Sequence, residues 1–379
     1  MNMWIATAQQ MRETDRIAIQ ERGIPSTGLM ERAAAALAEE VMNLTGDCVG
    51  RVVCFCGPGN NGGDGVACAR QLLEAGFEVR CVLVGSHEKM TQDTRAMEAK
   101  LAAAGGKLEP FQPDDAEFAA WCLEANVMVD ALFGIGLNSD VRGDALTAVH
   151  MMNTCDIPVV SADIPSGVET DTGRVLGEAV RAARTVTFTL PKAGHYVGKG
   201  GLCTGALTVA DIGIPKDLVD ALDCPVSTVE AAGVKLPRRP LDAHKGDFGR
   251  CAILGGSVGY TGAPVLAAQA AVRSGAGLVS VGVPTPIWAV AAAKLDEAMP
   301  YPLPAGKEGQ LSLEAGEVIH HKLAGCGVCL IGPGLGRGNG VAAVVRHPLH
   351  EIHIPVILAA HRINALEGHI DVLDARQGL

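Results

Sequence analysis

The hydrophobic positions of this chain fall into short apolar runs that alternate with longer stretches of helical periodicity. Runs that are rich in Val, Ile or Leu and bounded by Gly, Pro or Asp are typical of strands buried in a parallel sheet. Two amphipathic stretches come first and predict helices over 7–21, capped by Thr7, and over 26–44. The apolar runs then predict strands at 51–56, 77–84, 127–133, 157–162, 184–190 and 206–210. This alternation predicts an α/β protein wound around a parallel sheet.

A second α/β pattern follows a break in the periodicity. Between residues 223 and 249 the apolar spacing lapses, and prolines and charges accumulate, which is typical of a domain boundary. A strand is then predicted at 250–256, a helix at 262–277, and further apolar runs lie at 277–283 and 327–340. Since 379 residues exceed one ordinary core, we expect a first domain at 1–225, a linker at 226–245 and a second domain at 246–379.

The composition describes a chain that buries large cores and lacks a basic surface. Hydrophobic residues make up 48%, charged residues 19% and aromatic residues 3%, and the net charge is −11. The acidic balance and the few aromatic rings disfavour nucleic-acid binding. No apolar run is long enough for a membrane span, and the charged N-terminal stretch is not a secretory signal, so we expect a cytoplasmic protein. Its 12 cysteines lie mostly in apolar runs, which favours reduced, buried thiols.

The stretch GPGNNGGDG at 57–65 is the first candidate site. We predict that the strand Arg51–Cys56 precedes it and that a helix begins at Asp64. A glycine-rich turn between a strand and a helix forms a cradle for phosphate, because the free amides and the helix dipole both favour an anion. Glycine also permits positive φ and a close approach of the backbone to a ligand. The loop matches neither GxGxxG nor the Walker A pattern, so a structural turn is the alternative.

Three successive predicted strands end in charged residues. Asp130 ends one run, Asp163 the next, and Lys192 follows the third, each beside a Gly or Pro turn. Ligands of an open parallel sheet bind beyond the carboxyl ends of its strands, so these side chains are expected to share a cleft with the glycine loop. An aspartate after a strand is also a common cap or turn residue. Two carboxylates and an amide oxygen in one cleft would hold a hard cation, either a monovalent ion or magnesium.

The remaining polar clusters are interpreted as structural. One CxxC pair occurs without a second pair or a histidine cluster, which disfavours a zinc site. Two adjacent histidines fall on the polar face of a predicted helix, and three more recur every third residue around a proline that interrupts a helix. These residues are Cys326 and Cys329, His320 and His321, and His347, His350 and His353.

Four segments of the first half resemble the NAD(P)H-hydrate epimerase domain in order and spacing. They are GPGNNGGDG, DALFGIGL, ADIPSGVETDTG and TFTLPKAG. The second half contains HKGDFGRCAILGGSVGYTGAPVLAAQAAVRSGAGLVSVGVP and LIGPGLGRG, which are similar to the ADP-dependent NAD(P)H-hydrate dehydratase domain. The resemblance implies a Rossmann-like epimerase domain followed by a partial ribokinase-like domain.

The resemblance also implies a repair reaction and the residues that perform it. The substrates would be NADHX and NADPHX, in which the nicotinamide ring is hydrated at C6, and the first domain would interconvert their R and S forms. Inversion needs either loss and return of water or opening and reclosing of the ring, with Asp163 as acid/base and Lys192 as a supporting charge. Potassium (K+) would be held by Asn61, Asp130 and Ser166. The substrate would contact Asn60, Asn61, Gly62, Gly63, Asp64, Gly134, Ile135, Gly136, Leu137, Asn138, Ser139, Asp140 and Asp163.

For the second half, the resemblance implies ADP or ATP as cofactor and substrate contacts at Ala263, Gly334 and Gly336. Ala359 and His361 stand where the family pattern expects two aspartates, and neither its His-Pro-Gly-Glu loop nor its Gly-Thr-Gly-Asp anion hole occurs in the sequence. Without the anion hole we expect no dehydration. We also expect an uncovered apolar sheet edge, which favours disorder or association, and a homo-oligomer overall.

Two other functions are compatible with the same sequence features. A non-catalytic nucleotide-binding or scaffold protein would keep the fold and the site without the chemistry. A small-molecule kinase would draw on the ribokinase-like half, but the missing anion-hole aspartate disfavours it. The complete set of Asn61, Asp130, Asp163 and Ser166 favours an enzyme.

Overall fold

The structure, a computed structural model, divides into two units, Met1–Lys235 and Leu236–Leu379. Each unit has its own parallel sheet. Among the described residues, no helix combines the length and apolar character that crossing a membrane requires. The residues described are 3–46, 49–229, 231–234, 238–336, 341–342, 344–346, 354–359, 366 and 368–373.

Seven strands in the described part of the first unit form one parallel sheet. They are β1 Arg51–Cys56, β2 Glu78–Leu83, β3 Leu108–Pro110, β4 Val127–Ala131, β5 Val159–Ala162, β6 Arg184–Phe188 and β7 Ala206–Ala210. Their order is β3-β2-β1-β4-β5-β6-β7. The six predicted strands are confirmed, with the predicted bounds at 51–56 and 206–210 and slightly shorter ends in the other four, and β3 was not predicted.

Helices cover both faces of this sheet. They are α1 Ala8–Arg16, continued by a π-helical turn at Ile17–Glu21, α2 Ser26–Thr45, α3 Asn60–Glu74, α4 Gln92–Ala103, α5 Ala116–Leu123, α6 Asp144–Thr154, α7 Gly200–Cys203 and α8 Lys216–Asp220. Thr7 caps α1 as predicted, since its side chain accepts the N–H of Gln10. Helices α2, α3 and α4 share one core with the sheet, whereas α5 and α6 pack in a second core.

The interior strand β1 shows why its sequence is apolar at every position after Arg51. Val52, Cys54 and Cys56 lie in the core beneath α2–α4, whereas Val53 and Phe55 lie in the core with α5 and α6. Side chains of a strand alternate between faces, so a strand covered on both faces reads as a continuous apolar run. Burial on both faces therefore explains why the sequence predicts this strand as an apolar run.

Helix α3 begins at Asn60, four residues before the predicted start at Asp64. The glycines of its first turns allow close packing rather than an open loop. A Cβ on Gly62 would lie 1.7 Å from the carbonyl oxygen of Gly57, and one on Gly65 would lie 2.5 Å from the Cβ of Ala131. The prediction was wrong because glycine has a low helix propensity, which tertiary packing overrides here.

The strand order of the first sheet reverses direction between β1 and β4. The chain moves outward through β2 and β3 on one side of β1 and through β5, β6 and β7 on the other side of β4. The loops that follow β1 and β4 therefore diverge and leave a crevice at the carboxyl ends of these strands.

Five strands of the second unit, within its described residues, form a parallel sheet ordered β10-β9-β8-β11-β12. Here the direction reverses between β8 and β11. The elements are β8 Arg250–Leu254, α9 Gly262–Arg273, β9 Leu278–Pro284, α10 Thr285–Lys294, β10 Met299–Leu303, α11 Ala315–Leu323, β11 Val328–Ile331 and β12 Val356–Leu358.

Candidate active site

A cavity of about 640 Å³ lies at the reversal point of the first sheet. Its walls come from the loop after β1, the loop after β4, helices α1 and α2, and the segments that follow β5 and β6. Met30, Phe133 and Phe188 give it an apolar part, and Asp15, Asp64, Asp163 and Lys192 give it a charged part. A partly apolar cleft with a few charged groups is the usual form of a small-molecule site.

Asp163 and Lys192 form a buried ion pair at the cavity. Lys192 is 1% exposed and Asp163 is 8% exposed, and the Lys192 Nζ lies 2.5 Å from Asp163 Oδ1. The ammonium also donates to Thr187 Oγ1 at 2.7 Å. Burial alone would raise the pKa of Asp163, but Lys192, His195 and Thr187 together hold this pKa below its ordinary value. Asp163 is therefore ionised at neutral pH.

The backbone at this ion pair adopts unusual conformations. Asp163 and Thr189 both have φ of 64°, the left-handed region that residues other than glycine rarely adopt. The buried His195 holds the two charged residues together, because its Nδ1 accepts the Lys192 N–H at 3.0 Å. Its Nε2 therefore donates to the Asp163 carbonyl oxygen, at 2.8 Å. Burial and the neighbouring Lys192 lower the pKa of His195 to about 4, so the ring is neutral.

Two further carboxyl groups of the same cavity wall have raised pKa values. Burial raises the pKa of Asp15 to about 6, although Lys192 lowers it in part. Burial and the charges of Asp163 and Asp15 raise the pKa of Asp64 well above its ordinary value. Asp163, Asp15 and Asp64 thus have separated pKa values, the arrangement that divides carboxyl groups between acid and base roles. Sequence reasoning missed Asp15, His195 and Thr189.

Asp130 lies next to the cavity, fully buried in β4. Its carboxylate accepts the Ser166 N–H at 2.8 Å and the hydroxyl groups of Ser161 and Ser166 at 2.8 and 2.5 Å. The Phe133 N–H donates to Ser166 Oγ at 3.0 Å. Burial raises the pKa of Asp130, and these hydrogen bonds lower it only in part. Within the described residues its donors are backbone N–H and serine hydroxyl groups, and none is a basic side chain.

Most of the predicted substrate residues of the first domain line the cavity. Those in its wall are Asn60, Asn61, Asp64, Gly134, Ile135, Gly136, Leu137, Asn138, Ser139 and Asp163. Gly62 and Gly63 do not line it, because they are buried against Gly57 and Met30 respectively. Asp140 also lies outside the wall and faces Arg142 at 3.7 Å. Of the predicted cation ligands, Asn61 is in the wall, whereas Asp130 and Ser166 are buried and do not line it.

The predicted substrate residues of the second domain meet at the reversal point of the second sheet. Ser257 donates its hydroxyl to the Gly334 carbonyl oxygen at 2.8 Å. A Cβ on Gly334 would lie 3.2 Å from the Cβ of Ala263, and one on Gly336 would lie 3.4 Å from Ser257 Oγ. The turns after β8 and β11 thus bring Ala263, Gly334 and Gly336 together.

Within the described residues, the histidines and cysteines interpreted as structural from the sequence lie outside the cavity. His320 and His321 are exposed on α11, and Cys329 is buried in β11 while Cys326 donates to the Lys322 carbonyl oxygen. Most of the described cysteines are buried, and none of them forms a disulfide. The predictions for His347, His350, His353 and His361 lie outside the described residues. Ala359, which is described, follows β12.

In comparisons with known proteins, each half of the chain matches a protein family. Residues 26–194 match the family model described as YjeF-related protein N-terminus, and residues 251–378 match the model described as NAD(P)H-hydrate dehydratase. A protein of Moorella thermoacetica named bifunctional NAD(P)H-hydrate repair enzyme Nnr is 39% identical, and the match covers 99% of this chain and 72% of that protein. A protein of Salinibacter ruber with the same name is 38% identical over 98% of this chain and 72% of its own length.

The crystal structure of a yeast protein supports the fold of the first unit. It is 24% identical, with a TM-score of 0.50, and the match covers 61% of this chain and 99% of the yeast chain.

Proposed function

Because this chain belongs to the family of bifunctional NAD(P)H-hydrate repair enzymes, we propose that its first unit interconverts the R and S forms of NADHX and NADPHX. The observation that carries this proposal is the ionised Asp163, held by Lys192 at the wall of a cavity at the reversal point of the sheet. In this reaction a hydroxyl group leaves ring C6 and returns to the opposite face.

The position of Asp163 suits the chemistry of that carbon. When the hydroxyl group leaves C6, the neighbouring ring nitrogen shares its lone pair and the ring becomes cationic. An ionised carboxylate stabilises this cation, and it also accepts a proton from the water that adds back. Lys192 keeps Asp163 ionised, and His195 fixes the backbone of both residues. Asp163 is thus proposed as the base and Lys192 as its supporting charge.

The dinucleotide is proposed to lie along the glycine turn and the loop after β4. The free amides at the start of α3 favour its phosphate groups. Two cavity residues of the described part, Asn61 and Thr189, have buried polar atoms, Nδ2 and Oγ1, without a hydrogen-bond partner. An unsatisfied buried donor costs about 1–3 kcal/mol, so these atoms are well suited to bind the substrate. The wall residues Asn60, Asp64 and Gly134 to Ser139 complete this binding site.

A potassium ion fits the oxygen atoms around Asp130. The carboxylate of Asp130 is fully buried without a basic partner among the described residues, and a buried charge of this kind calls for a cation. Asn61 and Ser166 supply an amide and a hydroxyl oxygen, which are hard ligands that suit such an ion. Asp130 is the one carboxylate of this proposed ligand set, and the single charge of a monovalent ion balances it. Potassium would neutralise Asp130 and fix the loop after β4.

The second unit is proposed to bind nucleotide as the dehydratases of its family do. Its match to the NAD(P)H-hydrate dehydratase model covers 251–378. The turn that contains Gly334 and Gly336 packs beside Ala263 at the sheet reversal, where ligands of such sheets bind. Ala263, Gly334 and Gly336 are the proposed substrate contacts, and ADP or ATP is the proposed cofactor.

The decisive experiment follows purified R-NADHX by chromatography that separates the two epimers, in potassium buffer with the full chain. We expect the S form to appear faster than in the blank, and Asp163→Asn, folded as judged by circular dichroism, to remove this acceleration. If R-NADHX persists at the spontaneous rate with the wild-type protein, the site only binds, and a non-catalytic nucleotide-binding role replaces the proposal. ADP or ATP is added afterwards; conversion of the S form to NADH then assigns dehydration to the second unit.

A further inference from the structure

Helix α1 closes one side of the cavity and is attached to the segment that carries Lys192. Ala6 forms a parallel β-bridge with Lys192, and its N–H donates to the Pro191 carbonyl oxygen at 2.9 Å. The guanidinium of Arg12 donates to the Ile135 carbonyl oxygen at 2.8 Å. The helix therefore contacts both the segment after β6 and the loop after β4, and residues on its inner face reach the cavity.

Asp15 is the carboxyl group that α1 contributes to the cavity wall. It is half-buried, and within the described residues its carboxyl group has no hydrogen-bond partner. Lys192, Asp163, Asp64 and Asp93 line the cavity with it from other elements, and Arg12 lines it from its own helix. Because burial raises the pKa of Asp15 to about 6, this group both holds and releases a proton close to neutral pH.

The proposed reaction needs an acid that Asp163 does not provide. Hydroxide is a poor leaving group, so the departing oxygen must receive a proton. Asp163 is ionised beside Lys192 and therefore has no proton to give at neutral pH. A second group in the cavity must supply it.

We propose that Asp15 donates the proton with which the C6 hydroxyl group of the hydrated nicotinamide leaves as water. This inference rests on the epimerase function proposed above. The C6–O bond breaks, its electron pair stays with the oxygen, and the Asp15 proton completes the water molecule, while the ring nitrogen forms a double bond to C6. Water then adds to the other face of C6 and gives its extra proton to Asp163. Exchange with solvent returns the proton from Asp163 to Asp15, so atoms and charge balance over the cycle.

Asp64 is the competing donor in the same cavity. Its pKa lies well above the ordinary value because of burial and the nearby charges of Asp163 and Asp15, so it keeps its proton at neutral pH. A general acid must lose and regain its proton in every cycle, which is fastest when its pKa lies near the working pH. Asp15 meets this condition and Asp64 does not.

The test compares Asp15→Asn with Glu13→Gln in the full chain. Both variants change a carboxyl group of α1 to an amide, but Glu13 is exposed and pairs with Arg16. For Asp15→Asn we expect kcat to fall about 10²- to 10⁴-fold with KM within a few-fold of wild type, as for loss of a general acid. Glu13→Gln is expected to keep wild-type rates. In Asp15→Ala, added acetate is expected to restore part of the activity.

The pH profile gives a second readout that a structural role would not change. The wild-type kcat/KM, corrected for the spontaneous reaction, is expected to fall as pH rises above about 6, because Asp15 then loses its proton. This decrease should be absent in Asp15→Asn. Wild-type kcat and an unchanged pH profile in Asp15→Asn would overturn the inference, even if Asp163→Asn is inactive. If the wild-type protein itself does not exceed the blank, the proposed function fails instead.

Discussion

Replacing Lys192 by methionine tests whether the ion pair with Asp163 controls the first unit. Methionine has a similar length but no charge, so the change removes the ammonium and preserves most of the packing. The ammonium donates to Asp163 Oδ1 at 2.5 Å, to Thr187 Oγ1 at 2.7 Å and to the Phe188 carbonyl oxygen at 3.4 Å. All these acceptors lose a donor, and the buried Asp163 loses its only ionic partner among the described residues.

The expected cost follows from the burial of both partners. Lys192 is 1% and Asp163 8% exposed, so water does not replace the missing charge. Removing one partner of a buried pair typically costs about 3–5 kcal/mol, and we expect Lys192→Met to lower the free energy of unfolding by this amount. The double variant Asp163→Asn/Lys192→Met removes both charges and should recover most of the loss. Lys216→Met, at an exposed position on α8, should change stability by less than about 0.5 kcal/mol.

Urea unfolding followed by tryptophan fluorescence measures these differences. A Trp288→Phe background leaves Trp4 and Trp121 as the only tryptophans, so the signal reports the first unit. In the wild type, the lowered pKa of Asp163 contributes stability that is present at neutral pH and is lost as pH falls through the folded-state pKa. Without Lys192 this pKa rises, so the deficit of the variant should shrink as pH is lowered. A deficit that is the same at pH 7 and pH 4.5, and that the double variant does not relieve, would refute the electrostatic reasoning.

Three other predictions concern the glycine turn, the buried histidine and the cation. Gly62→Ala places a Cβ 1.7 Å from the Gly57 carbonyl oxygen, so urea unfolding should show a loss of at least about 3 kcal/mol, whereas Gly59→Ala meets nothing within 4 Å and should be nearly neutral. Since His195 titrates at about 4 when folded and near 6.5 when unfolded, its contribution to stability is lost as pH drops from about 6.5 to 4, so the stability advantage of the wild type over His195→Asn should shrink over this range in urea unfolding. Replacing potassium by lithium should reduce the epimerisation rate of the wild type, whereas Asp130→Asn should be slow in both salts; equal wild-type rates would exclude the cation.

The sheet could be predicted from the sequence because most strands are covered on both faces. The run at 52–56, for example, is apolar throughout and is followed by Gly57, which marks both its existence and its limit. The strand Leu108–Pro110 has only three residues and carries a glutamate, and Met299–Leu303 contains two prolines, so neither has the pattern of a buried strand. Edge position explains both exceptions, since each lies at one end of its sheet.

The candidate site was predictable where it depends on strand ends and not where it depends on packing between distant segments. Asp163 and Lys192 follow adjacent parallel strands, so topology alone brings them together. Asp15 belongs to a helix with many charged residues, so the sequence predicts that it is exposed. It becomes part of the cavity wall only because α1 packs against other segments. The sequence does contain a pattern that could have identified Asp15. One face of the helix, at spacing i, i+3, i+4, i+7, consists of Met11, Thr14, Asp15 and Ala18. An acidic residue on the buried face of a helix is unusual. His195 gave no such signal, since its partners are backbone groups.

The segment Met3–Ala6 runs beside residues 226–228. Segments near the two limits of the first unit therefore lie next to each other. The Ile5 N–H donates to the Val226 carbonyl oxygen at 3.0 Å, and the Thr228 N–H donates to the Met3 carbonyl oxygen at 2.8 Å. A unit whose ends meet in this way can be joined to other proteins, or inserted into them, with little disturbance of its interior. In this chain, however, the junction continues directly into the bridge between Ala6 and Lys192. The junction of the first unit and the segment that carries Lys192 are therefore joined by one continuous set of backbone hydrogen bonds.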